Sequence, residues 1–214
     1  MSCYRATSAP TTWAGVRRIL RYLAGCPHEG LNFHRDNGII ALEAFGDADF
    51  AGDATSSRSL AAYVLRLNPV SAPFSWASRL QRVPATSTGH AETVALFEAS
   101  REIVHTRGLL SCLLPRHHLP LPPTPLFGDN AGALALGRNP VQTRRNKHFP
   151  AKLHFTRHLS ITAVIRLRHC PTADMLADGL TKPHPLPALT RHRQLLHGTA
   201  GRFVTLDTGE LLLP

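Results

Sequence analysis

The stretch Phe45-Gly46-Asp47-Ala48-Asp49-Phe50-Ala51-Gly52-Asp53 decides how this chain is read. The run from 41 to 47 that leads into it has the texture of a β-strand, and Gly52-Asp53 is a turn signal, so Asp47 closes a strand at the mouth of a loop. Two more β-type runs follow, 59 to 67 around Tyr63, Val64 and Leu65, and 73 to 79 around Phe74 and Trp76, with Asn68-Pro69 turning the chain between them. Three such runs in succession predict an antiparallel meander with Asp47 at one end of it.

Away from the meander the apolar period becomes helical. Trp13, Val16, Ile19, Leu20 and Leu23, with Arg17, Arg18 and Arg21 between them, predict a helix over 11 to 25 that stops before Cys26-Pro27 and Gly30. From Thr88 to Leu114, Ala91, Val94, Ala95, Ala99, Ile103, Val104 and Leu110 fall on one stripe with no proline among them, which predicts the long helix of the domain. Pro115 to Pro125 cannot continue it and delivers the chain into a short strand at Leu126 to Gly128, then a helix from Asn130 to Leu136, a step that suggests a parallel crossover. A helix over 147 to 159, an alternating strand from Ile161 to Arg168 and a helix near 173 to 181 complete the pattern. The order makes an α/β layered domain over 39–183, preceded by a helical segment in 1–38 and followed by a tail in 184–214 with only weak helical character. Trp13 and Trp76 are expected in the core.

Composition narrows the function classes. A 214-residue chain with 43% hydrophobic residues and a mean hydropathy of -0.10 is too apolar for disorder, and Arg, His and Pro interrupt it too often for a membrane span. No stretch reads as an export signal, and Cys3, Cys26, Cys112 and Cys170 lie too far apart for a zinc ribbon or a redox pair. The balance of 24 Lys+Arg against 14 Asp+Glu gives +10, which points to a polyanionic partner. From Ala131 to Ala173 there is no acid at all, while Arg138, Arg144, Arg145, Lys147, Lys152, Arg157, Arg166 and Arg168 all fall within it. A solvated face normally mixes both signs, so this block is read as a phosphate-contacting surface.

The few acids are informative by position. Asp47 closes the first strand, Glu92 starts the long helix, Asp129 ends the short strand in Gly128-Asp129-Asn130, and Asp178 lies on the last helix. Layered α/β sheets gather functional groups at strand ends and helix starts, and divalent cations bound by oxygen ligands can activate a water at a phosphodiester and stabilise its leaving oxygen. Each acid also has a structural reading: Glu92 complements a helix dipole, Asp129 caps a helix, and Asp49 and Asp53 form turns.

The motif set, taken in order, resembles the ribonuclease H domain of copia-type LTR retrotransposon Pol polyproteins. The opening stretch is similar to that family's D-A-D-W-A-G-D. Arg58-Ser59-Leu60-Ala61-Ala62-Tyr63-Val64 resembles R-S-T-S-G-Y-V, and Phe74-Ser75-Trp76-Ala77-Ser78-Arg79 resembles I-S-W-x-S-K. Ser87 to Leu96 resembles S-S-T-E-A-E-Y-M-A-L, Gly128-Asp129-Asn130 C-D-N, Asn139-Pro140-Val141 N-P-V, and Asn146-Lys147-His148 T-K-H. Pro171-Thr172-Ala173-Asp174-Met175-Leu176-Ala177-Asp178-Gly179-Leu180-Thr181-Lys182-Pro183 resembles P-T-x-D-Q-L-A-D-x-x-T-K-P. Val16 to Gly25, followed by Gly30-Leu31-Asn32-Phe33, is similar to the segment joining the reverse transcriptase to its ribonuclease H, so 1–38 is expected to be a remnant of that connection.

The resemblance implies a ribonuclease H-like fold, a five-stranded mixed sheet flanked by helices. It implies metal-dependent hydrolysis of the RNA strand of RNA·DNA hybrids, with two Mg²⁺ or Mn²⁺ ions held by Asp47, Glu92, Asp129 and Asp178 as catalytic residues. Arg144, Arg145, Lys147 and His148 would meet the backbone phosphates of the hybrid, a reverse transcriptase domain would belong to the parent polyprotein, and no membrane partner is implied. Some positions depart from the pattern: His90 replaces an acid, Thr93 a tyrosine, Ala61 and Ala62 a Ser-Gly pair, and Pro150 an aspartate. These departures open the alternative of a catalytically degraded, nucleic-acid-binding remnant, and a transposase or integrase of the same superfamily is a third reading that the motif order argues against. Among the histidines, only His154 and His158 share a helix face, with no acid nearby to complete a zinc site, and His169 is considered as a proton shuttle near Asp178 against the reading of an ordinary loop residue.

Overall fold

The computed structural model of the protein describes residues 9–34, 40–138 and 150–199. In chain order the elements are α1 (Ala9–Gly25), β1 (Glu43–Asp49), β2 (Leu60–Arg66), β3 (Ser75–Leu80), α2 (Thr88–Leu113), β4 (Thr124–Gly128), α3 (Ala131–Arg138), α4 (Pro150–Ile161), β5 (Ile165–His169) and α5 (Leu186–His197). The five strands form one mixed sheet in the order β3-β2-β1-β4-β5. β1, β2 and β3 pair antiparallel as the meander predicted, while β4 lies parallel to β1 and β5 parallel to β4.

Each face of the sheet is covered by a different set of elements because side chains alternate along the strands. On one face Ala44, Leu65, Leu126, Ile165 and Leu167 bury against Leu96, Ala99 and Ile103 of α2, with Leu134 of α3 and Leu159 of α4. On the other, Phe45, Ala62 and Val64 pack under Met175, Leu176 and Ala177 and under Leu195 of α5. The 172–180 segment that covers this second face is not the α-helix expected from the sequence. It consists of two 3₁₀ turns, Thr172–Asp174 and Asp178–Leu180, whose backbone hydrogen bonds close too tightly for a continuous α-helix. Three buried side chains in a row, Met175, Leu176 and Ala177, hold it onto the sheet, a run that an amphipathic helix could not bury entirely.

Other differences have local causes. The alternation from Ile161 to Arg168 gives a strand only from Ile165, because α4 runs on to Ile161 and the chain turns through Ala163 at φ 54. The weak helix of the tail is a docked one: α5 buries His192 and Leu195 and ends on Gly198 at φ 68, where a Cβ would fall 2.5 Å from the Asn32 carbonyl oxygen. Trp13 and Trp76 are not core residues; both are more than half exposed, the first on α1, the second on the edge strand β3, where only one neighbouring strand shields it. No helix among the described residues is long and apolar enough to cross a membrane.

Candidate active site

Two short segments of similar sequence build the floor of the site. Phe45 of β1 and Phe127 of β4 are register partners in the parallel pair, and their rings stack at 4.9 Å between centroids. Each is followed by a glycine and then an aspartate, so Asp47 and Asp129 emerge at the same level from neighbouring strands. The glycines permit close packing from above. A Cβ on Gly46 would lie 3.4 Å from the backbone of Ala95, and one on Gly128 would press on Leu96 and Leu134 at 3.2 and 3.3 Å. With α2 seated this low over β1, Glu92 reaches the two aspartates from its second turn rather than from the first-turn position that the sequence suggested.

Asp47, Glu92 and Asp129 each present a carboxylate oxygen within 4.8 Å of the others, the only grouping of at least three possible metal ligands found among the described residues. Asp47 and Glu92 are buried and Asp129 is half-buried. Burial, then the charges of Asp47 and Asp129, push the Glu92 carboxyl up to about 9, and a hydrogen bond from the Ala48 backbone only partly offsets this. Asp47 is also raised, by burial first and by repulsion from Asp178 and Asp129, against the opposing hydrogen bond from Thr181. Thr181 Oγ1 donates to Asp47 Oδ2 at 2.6 Å, and Thr172 Oγ1 donates to Asp129 Oδ2 at 2.9 Å. Glu92 Oε2 is buried with no hydrogen-bond partner. An acceptor held this way is costly unless something positive completes it, and three oxygens with one orphaned among them are the donor set of a hard divalent cation.

Asp178 stands apart from this trio. Its side chain is buried beside Asp47, but its oxygens meet Lys182 Nζ at 2.5 Å and His184 Nε2 at 3.4 Å. The histidine set against Asp178 is therefore His184; His169 is exposed at the end of β5. Sequence reasoning missed Thr172, Thr181, Lys182 and His184 as site residues, although the first three lie inside the Pro171 to Pro183 motif, which carried the signal without the roles.

The expected nucleic-acid contacts Arg144, Arg145, Lys147 and His148 lie outside the described residues. Within the rest of the basic block, two arginines serve the fold. Arg138 donates to the Leu167 carbonyl at 2.5 Å and buried Arg157 to the Leu136 carbonyl at 2.9 Å, tying α3 to β5 and α4 to α3. The departures on α2 are accommodated locally: Ser87 caps the helix by accepting from the His90 backbone, the His90 ring accepts from the Thr86 backbone, and Thr93 bonds back to the Gly89 carbonyl.

No protein-family model matches the chain. It is 36% identical to the retrovirus-related Pol polyprotein from transposon RE2 of Arabidopsis thaliana over 86% of its length, and 38% identical to that from transposon RE1 of the same plant over 78%. The chain spans only 12% and 11% of the length of these relatives. Among solved structures, LC11-RNase H1, isolated from compost, is similar at a TM-score of 0.50 and 13% identity, covering 66% of this chain and 93% of that one. That likeness is one of fold.

Proposed function

We propose, for a chain that belongs to the ribonuclease H domains of copia-type LTR retrotransposon Pol polyproteins, the activity of a divalent-metal-dependent endonuclease that hydrolyses the RNA strand of RNA·DNA hybrids. The observation that carries the reading is the convergence of Asp47, Glu92 and Asp129 around an orphaned Glu92 oxygen at the end of β1 and β4. These three residues would hold a first Mg²⁺ or Mn²⁺, and Asp178 with Asp47 a second. Bound there, divalent cations supply an activated water and stabilise the leaving oxygen of a phosphodiester.

The chain's own side chains do the positioning. Thr181 and Thr172 orient the carboxylates of Asp47 and Asp129, so the donor oxygens are aimed before any ligand arrives. Glu92, fixed by the seat of α2 on Gly46, closes the third side. Arg144, Arg145, Lys147 and His148 would bind backbone phosphates, which place the duplex without reading its sequence, and the 2′-hydroxyl would distinguish the strand to be cut.

The test is cleavage and binding of a labelled RNA·DNA hybrid by wild type and Asp129→Asn, each with Mg²⁺, Mn²⁺ or EDTA. Asp129→Asn keeps the side chain's shape and removes the charge that binds the cation, so cutting should collapse while hybrid affinity survives. Hybrid bound by wild type but left whole in both metals would overturn the reading in favour of a binding remnant, and cutting undiminished in Asp129→Asn would overturn the site.

A further inference from the structure

Lys182 lies four residues beyond Asp178, on the turn that follows the second 3₁₀ segment, and its ammonium pairs with Asp178 Oδ1 at 2.5 Å. Its charge also acts on Asp47 and Asp129, and on Glu92. The same Thr181 whose hydroxyl reaches Asp47 is its chain neighbour, so the turn that orients one carboxylate also brings a cation to another. The Asp178 side chain is 3% exposed and that of Lys182 45% exposed, so the lysine enters the site from solvent and can swing back out along a flexible stem.

We propose that Lys182 acts as an internal cation occupying the Asp178 half of the site, so that a second divalent ion binds only by displacing its ammonium. The inference rests on the metal-dependent reading above and deepens it. Among the described residues Asp47, Glu92 and Asp129 take part in no ion pair and feel Lys182 only at longer range, whereas Asp178 is paired with its ammonium directly. Loading is then sequential: the first ion binds to the carboxylate trio, and the second binds more weakly because it must break an ion pair that is largely buried on the carboxylate side. Lys182 is a positioning residue in this scheme, keeping Asp178 aimed at the site until the second ion arrives.

The experiment is Mn²⁺ binding to the full chain without nucleic acid, followed by calorimetry and by electron paramagnetic resonance, for wild type, Lys182→Gln, Lys182→Arg and Asp178→Asn. Wild type should bind one ion tightly and a second at least roughly tenfold more weakly, the scale set by losing one charge-assisted contact. Lys182→Gln should tighten the second ion by about the same factor and leave the first nearly unchanged. Lys182→Arg keeps the charge with a fork suited to a carboxylate, so it should weaken the second ion further, and Asp178→Asn should abolish it. The arginine variant keeps the test decisive if the glutamine variant does not fold. A first ion that binds normally with a second indifferent to both Lys182 variants, or two ions of equal affinity in wild type, would overturn this inference alone. Failure of any ion to bind would overturn the metal-dependent reading and this inference with it.

Discussion

Glu92 makes the metal-free protein sensitive to pH in a direction opposite to that of most carboxylates. Its carboxyl is pushed from 4.5 to about 9 by burial and by the two neighbouring aspartates. A group that holds its proton more tightly in the folded chain stabilises the fold while protonated, and that stability is lost as pH rises from its unfolded value through its folded one. The useful window is about pH 6.5 to about pH 8.5. Above its ordinary 6.5, His192, which burial lowers, no longer contributes to the slope, and Cys170, pushed from 9.0 up to about 12, begins to contribute only toward the top of the window. Each tenfold step in proton activity costs at most about 1.4 kcal/mol, so two steps remove up to roughly 3 kcal/mol of stability. For a domain of this size that corresponds to a fall in Tm of up to about 6–12 °C. Asp47 is raised as well and moves the same way, so the diagnostic comparison is with Glu92→Gln, which keeps the shape and abolishes the titration. Melting by circular dichroism in EDTA should show the wild type falling across the window, the variant staying nearly level, and the two curves diverging toward high pH. Saturating Mg²⁺ should erase the wild-type fall, because the cation takes the place of the proton. Parallel curves for wild type and Glu92→Gln in EDTA would refute the argument that the trio is a desolvated, mutually repelling cluster.

Thr181→Val removes the donor to Asp47 and should cost about 1–2 kcal/mol in stability while lowering hybrid cleavage roughly tenfold with little change in affinity. Thr181→Ser should recover the rate, and a valine variant that cuts at the wild-type rate would remove Thr181 from the site. Gly198→Ala places a Cβ against the Asn32 carbonyl at a φ of 68 and should lower stability by about 1–3 kcal/mol in urea titration, detaching α5 from the 30–34 segment. Neutralising Arg144, Arg145 and Lys147 together should flatten the slope of log K against log salt for hybrid by up to about 0.9 per lost phosphate contact; an unchanged slope would make the block a solvated face.

The element order was legible because periodicity records which side of each element is buried. The meander around Tyr63 and Val64, the stripe of α2 and the short strand before Asp129 all follow from that record. Strand ends and helix starts also singled out Asp47, Glu92, Asp129 and Asp178, but local pattern left each of them a structural reading; the motif resemblance joined the four into one site, and the structure brings Asp47, Glu92 and Asp129 together. Where burial came from elements distant in sequence, local pattern misled. Met175, Leu176 and Ala177 are consecutive apolar residues that look helical until the face of Phe45 and Val64 is placed beneath them, and Trp76 looks like core until β3 proves to be the sheet's edge.

By itself the sequence determined the class of fold and the strongly basic character of the chain, because composition and hydrophobic spacing act through short-range physics that needs no partner, and its ordered motifs pointed to the acids by resemblance. Only the tertiary structure decided that Asp178 faces Lys182 and His184 instead of joining the other three carboxylates. It alone also placed the Thr181 hydroxyl on Asp47, 134 positions away in the chain. Hydrogen bonds and ion pairs of this kind depend on ångström-scale placement of side chains from separate elements, and that placement exists only after both faces of the sheet have packed.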